Sequence, residues 1–226
     1  MQDARNRTAI ATLTQTWQAL WQRLGGNPED AIAVFQKLLA AYTEPHRAYH
    51  TLEHIQACLY QFDTVRSLAQ YPDAVETALW FHDAIYDTRA TDNEIRSAHW
   101  AFEAMSAGDI SRRTAEHISD LVIATQHFSA RLDVISMQPD AALLVDIDLS
   151  ILGYPPSAFE QYERQIRQEY NWVPETAYRQ KRTEILCAFL TRPWIYQTPY
   201  FQAKYEFQAR QNLNSLIQKW SSLDFA

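Results

Sequence analysis

Ala78-Leu-Trp-Phe-His-Asp-Ala-Ile-Tyr86 is the stretch on which the reading of this chain turns. Its first four residues are an apolar helical run, and an imidazole and a carboxylate follow directly. At the end of such a run, His82 and Asp83 can both turn toward one divalent cation. The pair alone is weak evidence, because His-Asp arises by chance in many proteins, so its flanks decide its weight. Upstream lies Arg47-Ala-Tyr-His50-Thr-Leu-Glu-His54, and downstream lies Leu144-Val-Asp146-Ile-Asp148-Leu-Ser150.

Outward from this stretch the chain reads as helix after helix. Ile10, Leu13, Trp17, Leu20, Trp21 and Leu24 recur at helical spacing until Gly25-Gly26 ends the run. Asn27 followed by Pro28 is a cap with proline at the first helical position, opening a helix to about Tyr42. Pro45 breaks it, and a third helix carries His50 to about Arg66. Pro72-Asp73 opens the helix that ends at the His-Asp pair. A fifth is expected from Thr91-Asp92-Asn93-Glu94 to Gly108, and a sixth from Asp109 to His127. Ala141–Leu152 is apolar with two aspartates embedded. Later helices are expected over Pro156–Tyr170, Pro174–Leu190 and Thr198–Trp220. The only β-like signal, Leu143 to Ile147, is too short and isolated to build a sheet. The expectation is an all-α, single-domain helical bundle over residues 1–226. Its core runs over about residues 30–155, and the C-terminal helices at 156–220 pack on it.

Composition narrows the function classes. Only four glycines, with an apolar fraction of 47%, favour a packed helical protein over a disordered one. A net charge of −7 without any Lys/Arg run argues against a nucleic-acid groove, while leaving room for a small phosphorylated ligand bound by local arginines. No window approaches a membrane span, and Met1 to Arg7 leads into a polar amphipathic helix without an apolar signal core. A cytoplasmic protein, monomer or homodimer, is expected. Cys58 and Cys187 both sit on apolar helical stretches and read as buried, reduced thiols that match no metal framework.

Imidazole plus carboxylate is a mixed N/O donor set, suited to Mn, Fe, Co, Ni or Zn and, with water, to Mg. Four-residue spacing puts His50 and His54 on one helical face. Asp146 and Asp148 cannot share a helical face, so one of them is expected to point at the metal. A carboxylate in the apolar run Leu143–Leu152 carries a desolvation cost unless paired or ligated.

Taken together, His54, His82-Asp83 and Asp148 resemble the defining pattern of the HD superfamily of metal-dependent phosphohydrolases. The nearer resemblance is to a bacterial subfamily of predicted HD-type hydrolases. Three of its elements stand here as Arg47–Ile55, Phe81–Asp87 and Asp146–Gly153, within a resemblance covering most of residues 30 to 215. Tyr49-His50-x-x-x-His54 and Ile147-Asp148-Leu149-Ser150 also resemble elements of cyclic-nucleotide phosphodiesterases, distant relatives in the same superfamily.

The resemblance implies an HD-type helical fold. It implies hydrolysis of a small phosphate ester, a nucleotide among the candidates, by water activated on one divalent ion or two. His54, His82, Asp83 and Asp148 would be ligands and His50 the general acid. The assignment of His50 as ligand with His54 behind it stays open. Asp83 would also steer water, and Arg47 would stabilise charge on the phosphate oxygens. Asp146 would support the site or the fold. His127 would line the site or hold a second ion, and Glu53 is placed to orient an imidazole. Glu94, in Asn93-Glu-Ile-Arg-Ser97, takes a site or a capping role. Arg182 and Arg210 read as ordinary solvated charges on late helices. Two other classes stay in view: a di-iron oxygenase of HD type, and a metal- or nucleotide-binding module without turnover.

Overall fold

The computed structural model describes residues 2–126 and 138–223. Among them are ten α-helices, two short 3-10 turns and no strand. The chain divides into two compact units, Met1–Leu144 and Val145–Ala226.

The first unit contains α1 (Gln2–Arg23), α2 (Pro28–Ala41), α3 (Leu52–Val65), α4 (Pro72–Phe81), α5 (Asn93–Ala107) and α6 (Arg112–Ile123). Helix α7 (Pro139–Asp148) begins there and runs on across the boundary, so the β-like run from Leu143 to Ile147 is helical. Central to the unit is α4, whose side chains from Ala74 to Phe81 are all buried, as expected of a helix that is apolar on every face. It packs against α1, α3, α5 and α6. Trp80 meets Trp17 edge-on at 5.5 Å and Phe35 at 6.0 Å, while Phe81 meets Trp100 edge-on at 5.5 Å, the offset geometry that ring quadrupoles favour. Its one buried carboxylate, Glu76, accepts from Arg23 and Arg66 at 2.7 and 2.6 Å. The entry to α4 is pinned by Asp140, whose carboxylate accepts the backbone N–H groups of Gln70 and Tyr71 at 2.7 and 2.8 Å.

Two helix starts differ from the sequence expectation. Thr51 is extended and its side chain accepts the Glu53 N–H, so α3 begins at Leu52 and His50 lies in the turn before it. Asp109 is left-handed, with φ at 60°, and Ser111 caps Thr114 N–H, which moves the start of α6 to Arg112. At the end of α1, Gly25 takes a φ of 83°, a conformation costly to any residue with a Cβ.

The second unit contains α8 (Pro156–Glu169), α9 (Glu175–Thr191) and α10 (Pro199–Leu223), with the 3-10 turn Leu149–Gly153 leading in. Two arginines expected to be solvated are structural here. Arg182 is largely buried, paired with Glu163 at 2.6 Å and donating to the Tyr162 hydroxyl at 2.9 Å. Arg210 pairs with Glu206 at 2.7 Å and donates to the carbonyls of Leu190, Arg192 and Pro193, closing the α9–α10 connection. That connection buries Ile195 and Tyr196 while leaving Pro193 and Trp194 exposed, so only the second half of the Pro193–Tyr196 segment belongs to the core. Asn212 donates to the carbonyls of Leu152 and Tyr154, at 2.8 Å each, which anchors the lead-in turn to α10.

Candidate metal centre

His82 is the C-terminal cap of α4, with its backbone N–H donated to the Ala78 carbonyl. Its Nδ1 lies 2.9 Å from the Leu79 carbonyl oxygen. A carbonyl only accepts, so Nδ1 carries a proton, and Nε2 is the ring atom turned toward His54 and Asp83. Facing it at 3.0 Å is His54 Nε2, carried in the first turn of α3. Asp83 turns back toward both rings: its Oδ2 lies 3.0 Å from His82 Nε2 and 3.5 Å from His54 Nε2. His50 Nε2 stands 4.0 Å from the same oxygen, beyond hydrogen-bond reach.

Depth separates these groups. The side chains of His54 and His82 are 2% and 1% exposed, whereas those of Asp83 and His50 are 18% and 17% exposed. The two imidazoles form a closed floor, and the carboxylate and His50 face the solvent side. Burial alone would raise the Asp83 carboxyl, but His82 and His50 nearby, with hydrogen bonds from His54 and His82, outweigh it and hold the group well below the usual carboxylate range. At neutral pH the floor therefore faces an anion.

The donor spacing fits an ion. Two ligand atoms about 2.1 Å from a common cation, at octahedral to tetrahedral angles, lie roughly 3.0–3.4 Å apart. The edges of 3.0, 3.0 and 3.5 Å among His54, His82 and Asp83 match that range closely.

Arg47 has a different place from the one expected of a phosphate contact. Its side chain is 0% exposed. Nη1 donates to the carbonyls of Asp83 at 2.7 Å and His50 at 3.1 Å, and Nη2 donates to the Ala84 carbonyl at 3.1 Å. Nε donates to Glu44 at 3.0 Å, and the guanidinium packs over the rings of Tyr42 and Tyr86. Arg47 is thus a strap that ties the His50 turn to the backbone after His82. A second latch comes from the start of α5. Asn93 exchanges hydrogen bonds with the Asp87 backbone, and Ser97 accepts from Ile85 N–H at 3.0 Å while donating to its carbonyl at 3.3 Å. Sequence reasoning noticed this motif through Glu94, which is half-buried in the first turn of α5, but the latching residues are its neighbours.

Rings line the approach to His50: Tyr86 lies 4.2 Å from it, centroid to centroid, and Tyr49 lies 5.0 Å from it and 4.8 Å from His54. Glu53 is exposed on the first turn of α3. His99 is exposed and pairs with Glu103 at 3.2 Å, while His117 packs on Tyr71. His127 lies outside the described residues.

Cys58 is the residue that sequence reasoning set aside. One turn beyond His54 on α3, it is buried, with Sγ 3.7 Å from His54 Nε2 and 3.8 Å from Nδ1. The ligand atoms of His54, Cys58 and His82 lie within 4.8 Å of one another, a grouping able to hold a metal ion. The His54-x-x-x-Cys58 spacing was the available signal. Cys187, expected to be buried, is exposed.

Both aspartates of the Asp146–Gly153 element belong to the second unit. Asp146, fully buried, accepts from Gln197 N–H at 2.8 Å and from both the N–H and the hydroxyl of Thr198 at 2.7 Å. It therefore caps the entry to α10, and burial pushes its carboxyl up to about 6 despite those three donors. Asp148 ends α7 and is only partly buried.

Among the described residues, no helix is long and apolar enough to cross a membrane. Compared with protein-family models, curated proteins and solved structures, the chain matches none of them.

Proposed function

We propose that this chain is a metal-dependent phosphohydrolase of HD type acting on a small phosphate ester, with nucleotides the first class to test. The observation that carries the proposal is the pairing of a buried two-imidazole floor with a half-open carboxylate and His50 on its solvent side. His54, His82 and Asp83 hold the divalent ion, and Asp148 is proposed as a further ligand on the strength of the sequence pattern. Such an ion supplies Lewis acidity to water and to the phosphoryl oxygen.

The chain's own residues do the rest. His82, with Nδ1–H held by the Leu79 carbonyl, keeps a fixed lone pair toward the ion. Asp83, kept ionised by the surrounding imidazoles, balances the cation and orients the attacking water. His50 Nε2, 4.0 Å from Asp83 Oδ2, is near enough to the carboxylate to share its field. There it protonates the leaving oxygen, from a side chain partly open to solvent beside Asp83. Tyr49 and Tyr86 flank His50 and offer ring faces to a substrate base. Arg47 acts by holding the His50 turn and the Asp83 backbone in register.

The test is phosphate release from a panel of phosphomonoesters, diesters and nucleotides with Mn, Co, Ni, Zn or Mg added, wild type beside Asp83→Ala. Release by the wild type alone is the expected result. No release from any substrate with any metal sinks the proposal.

A further inference from the structure

The nature of the metal follows from Cys58. The step rests on the proposed metal centre, but not on the reaction assigned to it. Cys58 is a free thiol, 3% exposed, on the face of α3 that carries His54. A buried cysteine is ordinarily a small hydrophobic residue, and most need no further explanation. This one differs in its distances. With a metal about 2.3 Å from sulfur and about 2.1 Å from nitrogen, a tetrahedral angle places the two donors roughly 3.6 Å apart. Cys58 Sγ lies 3.7 Å from His54 Nε2 and 3.8 Å from Nδ1, beside the ring. A turn of its χ1 is what brings it to the Nε2 side, where His54 and His82 close the adjoining edge at 3.0 Å.

We propose that Cys58 is a thiolate ligand of this centre and selects a borderline ion, Zn(II), Co(II) or Fe(II), over Mg(II). Thiolate is the softest donor in the protein repertoire, and Mg(II) takes oxygen ligands and sheds its water reluctantly. On binding, the S–H bond breaks, its proton leaves to solvent and the sulfur electron pair forms the bond to the metal. Imidazole, imidazole and thiolate then join the Asp83 carboxylate, and the positions left would go to Asp148, water or substrate. An all-oxygen site would accept Mg or Mn, and the thiolate sharpens the preference that the two imidazoles already give. The thiolate also adds a negative charge close to Asp83, which makes the centre hold its cation more tightly.

The experiment is cobalt titration of chelator-treated protein, followed in the near ultraviolet for the sulfur-to-cobalt charge-transfer band. Wild type, Cys58→Ser and, as control, Cys187→Ser are compared. Wild type and Cys187→Ser are expected to develop the band at one equivalent and to keep the cobalt against a large excess of Mg(II). Cys58→Ser is expected to bind cobalt without the band and at least about tenfold more weakly. Stoichiometric cobalt binding by wild type with no band overturns the thiolate while leaving the imidazole–carboxylate centre intact. An equal band in Cys58→Ser has the same meaning. Failure of wild type to bind cobalt at all overturns the centre as well. The wild-type spectrum decides the matter even if Cys58→Ser does not fold.

Discussion

His54 Nε2 and His82 Nε2 face one another at 3.0 Å across a sequence gap of 28 residues. The first rides the opening turn of α3 and the second closes α4, so the relation of those two helices sets the spacing. Buried nitrogens this close need a shared proton or a shared cation. The carboxylate of Asp83 beside both can balance either.

Asp83→Ala is expected to abolish metal-dependent turnover, by about 10²–10⁴-fold or more, with the fold retained. The strap from Arg47 grips the Asp83 carbonyl and not its side chain, so truncation leaves that bond in place. Phosphate release and a melting curve measure the two halves. Full activity in the variant would remove Asp83 from the site.

The two histidines of the first element should separate cleanly. His54→Ala removes a floor donor and is expected to lose the metal on desalting. His50→Ala is expected to retain the metal while kcat falls by about 10²–10⁴-fold. Metal content and turnover on the same samples check this. Equal metal loss in both variants would make His50 a ligand.

Arg47 distinguishes a strap from a phosphate contact. Arg47→Ala leaves the carbonyls of His50, Asp83 and Ala84 without their donor, an expected loss of about 2–5 kcal/mol of stability. Arg47→Lys should rescue little, because an ammonium lacks the planar fork. Denaturant midpoints report the effect. An unchanged midpoint with a raised KM would restore the phosphate role.

Stability should carry the signature of Asp146. Its carboxyl lies at about 6 in the fold, above the ordinary 3.8, so the fold favours the protonated form. That contribution is fully present below about pH 4 and is lost as pH rises through about 6, with a ceiling of about 3 kcal/mol. Melting of chelator-treated wild type should therefore weaken across this window, and Asp146→Asn should flatten the profile. The same slope in both proteins would point to another group.

The helices and the grouping of His54 with His82-Asp83 were legible in the sequence because both depend on short-range patterns. Apolar spacing marks α4 as buried, Pro72 and Asn27 mark starts, and His82-Asp83 stands out at the end of a buried helix. His54 was singled out by its spacing from His50, even though His50 proved to sit outside the helix, where the extended Thr51 cap ends the turn.

What sequence alone determined, then, is the all-helical character of the described chain and the residue types brought to the end of α4. Tertiary structure decided what each charged or sulfur-bearing side chain does, because that depends on burial and on partners distant along the chain. Arg47 became a strap because the carbonyls of His50, Asp83 and Ala84 converge on its guanidinium. Asp146 became a cap because Gln197 and Thr198 come to it from 51 and 52 residues away. Arg182 became a largely buried pair because Glu163 comes to it from 19 residues away, and Arg210 became a clasp because the carbonyls of Leu190, Arg192 and Pro193 reach it. Cys58 lies beside His54 and His82 because packing of α3 on α4 brings His82 to the face that carries His54 and the thiol, and helical periodicity within one segment cannot report a distance between two.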